Sequence, residues 1–98
     1  MPGKLTEEHI QTHLKQLDGW TREGDQIVKT YVLSSYAEGL AFASTIGYMA
    51  DALNHHPDLL ITWKRVTVTL STHDVGGLSE KDFDLAQRIE ALPHRPRT

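Results

Sequence analysis

The chain predicts an α+β fold, with four antiparallel strands in a single layer, three helices on one face, and the order α-β-β-α-β-β-α. Three observations carry this expectation. Helix-start signals occur at Thr6, Ser35 and Ser79, each ahead of apolar residues at helical spacing. Two pairs of short β-forming runs lie between them, each pair joined by the short connection of a hairpin. Hairpins and one-faced helices bury their apolar sides together when the helices cover one side of one sheet.

Thr6 caps the first helix, and Glu7 and Glu8 suit the positive end of its dipole. Ile10, Leu14 and Leu17 give it one apolar face, and Asp18-Gly19 stops it. Trp20 to Arg22 and Gln26 to Leu33 read as strands joined across Glu23-Gly24-Asp25. In the longer strand, Lys29 and Thr30 interrupt the β-forming residues Ile27, Val28, Tyr31, Val32 and Leu33. Ser35 and Glu38 have the Ser-x-x-Glu form of a capping box. In the helix that follows, Phe42, Ile46, Met49, Ala50 and Leu53 form a buried face, and small residues at Gly39, Ala43 and Gly47 permit close packing.

Pro57 cannot continue this helix and biases His56 away from helical geometry. Leu59 to Trp63 and Val66 to Ser71 form the second hairpin, with Val66, Val68 and Leu70 alternating against Thr67, Thr69 and Ser71. After the Gly76-Gly77 loop, Ser79-x-x-Asp82 is a second capping box. It opens a helix with Phe83, Ala86, Ile89 and Leu92 on its apolar face. Residues 93–98 read as a frayed tail of a single domain spanning 1–98. Four strands leave two open edges, so self-association is expected.

At 98 residues there is room for one core. A formal net charge of -3 argues against direct nucleic-acid binding. The absence of cysteine excludes disulfides and thiolate metal sites. No apolar run approaches the roughly 20 residues of a membrane helix, and MPGKLTEEH lacks a signal pattern. A cytoplasmic protein is the expectation.

His55 and His56 stand between the second helix and the third strand, and His73 follows the fourth strand. A two-residue loop at Trp63-Lys64 would set position 54 opposite 73, and a loop centred on Lys64 would set 55 opposite 73. Either register brings His73 beside Asn54-His55. Histidine exchanges protons near neutrality, so imidazoles gathered with carboxylates are the ingredients of acid–base chemistry. Asp51 precedes His55 by one helical turn, and the Gly-Gly loop returns Asp82 toward the same sheet end. Trp20 and Trp63 are most simply core or edge-covering aromatics, though either could stack on a flat ring. His9 and His13 have a chelating spacing on the first helix, but no glutamate completes a metalloprotease pattern. Two histidines and a carboxylate can also hold a metal, but adjacent histidines in extended backbone point to opposite sides, so no metal site is expected. No nucleophilic triad, phosphate loop or dinucleotide fingerprint is present.

Asp51-Ala52-Leu53-Asn54-His55-His56-Pro57-Asp58 and the run from Ser71 to Asp82 resemble the pterin-4a-carbinolamine dehydratase family. The pattern is an acidic residue, two spacers, Asp or Asn, His-His-Pro, then Thr-His, a glycine-containing loop, Leu-Ser and Asp. Asp51 stands where many members have glutamate. The resemblance implies this α+β fold in dimers or tetramers, and dehydration of 4a-hydroxytetrahydropterin to quinonoid dihydropterin without metal or organic cofactor. The implied substrate is the by-product of aromatic amino-acid hydroxylases. His55, His56 and His73 are the implied active-site histidines, with His55 and His73 as the acid–base pair and Asp82 supporting His73 or its loop. His56, Asp51 and Trp20 are the substrate-binding candidates. The competing expectation is a non-enzymatic binding module, since proteins of this fold act as partners of a homeodomain transcription factor or as assembly factors for carbon-fixing enzymes. Divergent assembly factors tend to lose the histidine set, which this chain keeps.

Overall fold

A computed structural model describes residues 3–92, so the tail expected at 93–98 lies outside the described residues. The elements are α1 (Glu7–Leu14), β1 (Thr21–Glu23), β2 (Gln26–Val32), α2 (Tyr36–Leu53), β3 (Asp58–Thr62), β4 (Arg65–Leu70) and α3 (Glu80–Glu90). A short 3-10 turn at His73–Val75, absent from the expected order, precedes α3. One antiparallel sheet runs in the order β1-β2-β4-β3, leaving β1 and β3 as edges.

Strand alternation decides which face of the sheet is covered. Ile27 lies opposite Leu70, Lys29 opposite Val68 and Tyr31 opposite Val66, so these side chains share one face. The five apolar ones are buried, as are Phe42, Ile46 and Ala50 of α2 and Phe83, Ala86 and Ile89 of α3. Val28, Thr30, Val32, Thr67 and Thr69 point the other way and keep contact with solvent. There the hydroxyls of Thr30 and Thr67 meet across the strands at 2.9 Å.

Local chemistry sets the turns. The first hairpin closes with Gly24 at φ +63, in the left-handed region that glycine enters without steric cost. The second closes through the two residues Trp63 and Lys64, since Thr62 pairs with Arg65. Lys64 takes φ 62, a conformation that costs a side-chain-bearing residue roughly 1–2 kcal/mol. The O of Lys64 accepts from Leu33 N at 2.8 Å, which ties the turn to the end of β2.

Lys29 does not simply interrupt its strand. It lies on the helix-covered face and extends to the rim of the core, where Nζ donates to Asp18 O and Glu90 Oε2, each at 2.7 Å. Trp20 Nε1 donates to the same Glu90 oxygen at 3.2 Å, and so does the Tyr31 hydroxyl. Glu90 thereby pins the first hairpin to the end of α3. Burial, reinforced by the bond to Glu90, pushes the Tyr31 phenol above its usual range. Burial alone would raise the Glu90 carboxyl, but the bonds from Lys29 and Tyr31 outweigh it and hold the group below the usual 4.5.

A depressed folded-state carboxyl supplies stability that is complete above its ordinary value and lost as pH falls through the depressed one. Glu90→Gln is therefore expected to be less stable than wild type at pH 7, with the two urea-denaturation midpoints converging below pH 4.5. A gap between the midpoints that stays constant with pH would count against this role for Glu90.

Candidate functional site

The site begins at the C-terminus of α2. Asn54 adopts the left-handed conformation at φ 53, ψ 43 and ends the helix. Its N–H reaches Asp51 O at 3.2 Å, and the N–H of His55 reaches Ala50 O at 3.1 Å. This paired closure is a Schellman motif, in which asparagine is the usual substitute for glycine. It swings His55 off the helix axis and away from Asp51.

His55 consequently meets Asp82, with Nε2 at 2.6 Å from Oδ1. Asp82 is fully buried, and the His55 side chain is 10% exposed. The second carboxylate oxygen, Oδ2, accepts from Thr72 Oγ1 at 2.8 Å and from Ser79 N at 3.0 Å. Ser79 N-caps α3, so the expected capping box forms and its acidic member serves the site as well. An ionised carboxylate only accepts, which makes Nε2 the protonated nitrogen of His55.

His56 turns the opposite way, as adjacent residues in extended backbone do. Its Nε2 lies 2.9 Å from Asp51 Oδ1, with both side chains largely in solvent. His73 opens the 3-10 turn, which the Thr72↔Gly77 bridge closes and Gly76 completes at φ 67. Residues His55, His56 and His73 all line one hollow of about 230 Å³, together with Asn54, Ser71, Thr72, Asp74 and Lys81. The two-residue turn at Trp63-Lys64 selects the first of the two expected registers, the one that sets 54 opposite 73. β4 ends at Leu70, however, so His73 reaches the hollow from the turn and not from the strand.

Two sequence expectations are corrected here and one is extended. Asp82 bonds Thr72 of the loop that carries His73, as expected of a support for that loop, and it also holds His55 directly. Asp51 partners His56 instead of sharing a side with His55. Trp20 is 5% exposed, packs edge-on to Tyr31 and spends its N–H on Glu90, so no ring face is open to a bound molecule. Trp63 is exposed but sits at the far end of the hairpin, where Lys64 Nζ lies 4.6 Å from its ring centre. His13 stacks on Phe83 at 4.8 Å and contacts Glu80 at 3.1 Å, joining α1 to α3. Among the described residues, no three His, Asp or Glu side chains are grouped to hold a metal ion.

Residues 3–92 match the family model described as pterin 4 alpha carbinolamine dehydratase. The chain belongs to this family. A relative from Roseiflexus sp. (strain RS-1), named provisionally as a pterin-4-alpha-carbinolamine dehydratase, is 45% identical over 94% of this chain and 99% of its own. One from Natronomonas pharaonis with the same provisional name is 46% identical over 94% and 98%. The crystal structure of a Brucella melitensis protein, titled a transcriptional coactivator/pterin dehydratase, superposes with a TM-score of 0.87 at 30% identity, covering 91% of this chain and 97% of that one. A pterin dehydratase-like RuBisCO assembly factor of the alpha-carboxysome, at TM-score 0.60 and 22% identity over 74% and 83%, shares the fold.

For this dehydratase-family chain, sequence reasoning did not single out Thr72 and Lys81 as part of the site. Thr72 is 6% exposed, and its place between an alternating strand and a histidine was the available signal. Lys81, in the first turn of α3, reaches the rim of the hollow and resembles any other helix-start residue in the sequence.

Removing the Asp82 carboxylate would strand three buried or near-buried donors. Asp82→Ala is expected to lose about 3–5 kcal/mol in urea denaturation. Removing the solvent-exposed pair through His56→Ala should cost less than about 1 kcal/mol. Equal losses would refute the contrast drawn between the two histidine–carboxylate pairs.

Proposed function

We propose that this chain catalyses loss of water from 4a-hydroxytetrahydropterin, giving quinonoid dihydropterin, by histidine acid–base chemistry. The observation that carries the reading is that His55, His56 and His73 line one hollow. Its volume is below the roughly 300–1,000 Å³ typical of pockets for drug-sized ligands, in keeping with a small flat ring system. Family membership supplies the substrate class.

The reaction requires two proton movements. The C4a–O bond breaks as its hydroxyl takes up a proton and departs as water. The adjacent ring nitrogen gives up its proton, and its electron pair forms the new C=N bond. His55 and His73 are the acid–base pair. With Nε2 of His55 held by Asp82, Nδ1 is the nitrogen left to exchange a proton with substrate. His73 has no side-chain bond among the described residues, and its ring is exposed at the mouth of the turn. His56, braced by Asp51, orients the pterin. These steps use the chain's own side chains and call on no metal or organic cofactor. An aromatic amino-acid hydroxylase that uses tetrahydropterin would supply the substrate, in the cytoplasm. Among the described residues no helix is long and apolar enough to cross a membrane.

A binding role is the second reading, favoured by exposed apolar side chains outside the hollow. Tyr36, Leu40 and Tyr48 project from α2, and Leu60 and Trp63 lie on or beside edge strand β3. We infer that these surfaces pair copies of the chain as a homodimer or homotetramer. Coactivation and assembly, the roles named for the two structurally similar proteins, are further uses for such surfaces.

Stopped-flow decay of 4a-hydroxytetrahydropterin tests the enzymatic reading. His55→Ala and His73→Ala should each lower turnover by about 10²–10⁴, with a chelator leaving the wild type unaffected. Near-normal turnover in both variants would remove the assignment. Self-association predicts a solution mass at a multiple of 11.0 kDa, reduced toward the monomer by Leu40→Asp. A monomeric wild type at high concentration would exclude it.

A further inference from the structure

We propose that Thr72 is a positioning residue for the dehydration: its hydroxyl orients the Asp82 carboxylate against His55 while its backbone closes the turn presenting His73. The inference rests on the acid–base reading above and adds a residue on the wall of the hollow that acts through Asp82 and the turn.

With Asp82 ionised, the hydrogens around it have one consistent assignment. Thr72 Oγ1 lies 2.8 Å from Asp82 Oδ2, and a carboxylate only accepts, so the single threonine hydrogen is committed there. The contact of 2.7 Å between Thr72 Oγ1 and Ser79 Oγ must then be donated by Ser79. Ser79 Oγ in turn accepts from Lys81 N at 3.3 Å. The chain runs one way, from Lys81 N–H through Ser79 and Thr72 to Asp82, with His55 donating to the opposite carboxylate oxygen. Each bond in such a buried series polarises the next.

Geometry gives the threonine its leverage. Two donors, Thr72 Oγ1 and Ser79 N, hold Oδ2 and stop the carboxylate plane from rotating, which leaves Oδ1 facing Nε2 of His55. The Thr72 backbone is committed as well. Its N donates to Gly77 O at 2.8 Å, and its O accepts from Val75 N at 3.2 Å. One residue thus ties the support of His55 to the turn that begins at His73, and fixes the spacing of the two imidazoles. A capping role alone would need only Ser79 and Asp82.

Thr72→Val keeps the side-chain shape and deletes the hydroxyl. In stopped-flow decay of 4a-hydroxytetrahydropterin it should lower kcat by about tenfold with KM changed by less than about twofold, as expected of a loosened reacting group. Thr72→Ser should restore kcat to within about threefold of wild type, since serine offers the same donor. In 15N NMR the His55 Nε2 signal should move from its protonated position toward the two-tautomer average in Thr72→Val and return in Thr72→Ser. A purely structural role would leave that signal in place. Should Thr72→Val not fold, Thr72→Cys retains the length with a weak donor and should show a smaller kcat loss in the same direction. Wild-type kcat in whichever of these two variants folds, alongside collapsed His55→Ala and His73→Ala, would overturn the role of Thr72 and leave the acid–base reading standing. Normal turnover in both histidine variants would instead overturn the reading beneath it.

Discussion

A carboxylate with no exposed surface is the constraint around which this end of the molecule is organised. Burying an ionised group is costly unless donors replace its hydration. Asp82 draws donors from three parts of the chain: His55 after α2, Thr72 after β4 and Ser79 at the start of α3. Satisfying the carboxylate therefore requires the helix end, the strand end and the last helix to converge. The convergence that neutralises it also shapes the hollow, so packing and candidate chemistry share one cause.

α3 is fixed at both ends by the same kind of interaction. At its N-terminus Asp82 is aided by the helix dipole. At its C-terminus Glu90 opposes the dipole, yet three donors from the first hairpin and its approach converge on one of its oxygens. The polar clamps bracket an apolar stripe of Phe83, Ala86 and Ile89. Burial of the stripe supplies cohesion without direction, and the clamps fix the axial position of the helix. Axial placement matters because a slide of α3 would carry Asp82 away from His55.

The fold was legible because its signals are local. Alternation in Val66 to Ser71, three capping residues and the glycine at the first turn each act over a few positions. The gathering of the histidines was legible from hairpin connectivity. Their partners were not, because they depend on directions set by single backbone conformations. Helical spacing puts Asp51 beside His55 only if the helix continues, and the left-handed Asn54 ends it one residue earlier. Lys29 read as a break in its strand because sequence patterning treats a lysine as one polar unit. In the structure its stem lines the core and its charge reaches Glu90. Trp20 gave no sign that its indole N–H would be claimed by a glutamate seventy positions away.

Trp63 and Lys64 lie at the far end of the second hairpin from the imidazoles, yet their number governs what happens at the other end. Adding one residue would slide β3 by one place along β4 and turn Leu59 and Ile61 outward, because strand side chains alternate. The same slip would carry His55 off the bearing of Asp82, which is anchored through β4 and α3. Composition at this bend can drift, with glycine or asparagine even easing the backbone of Lys64, whereas its length cannot. A tip with no part in the chemistry thus acts as the gauge that keeps two distant segments in step.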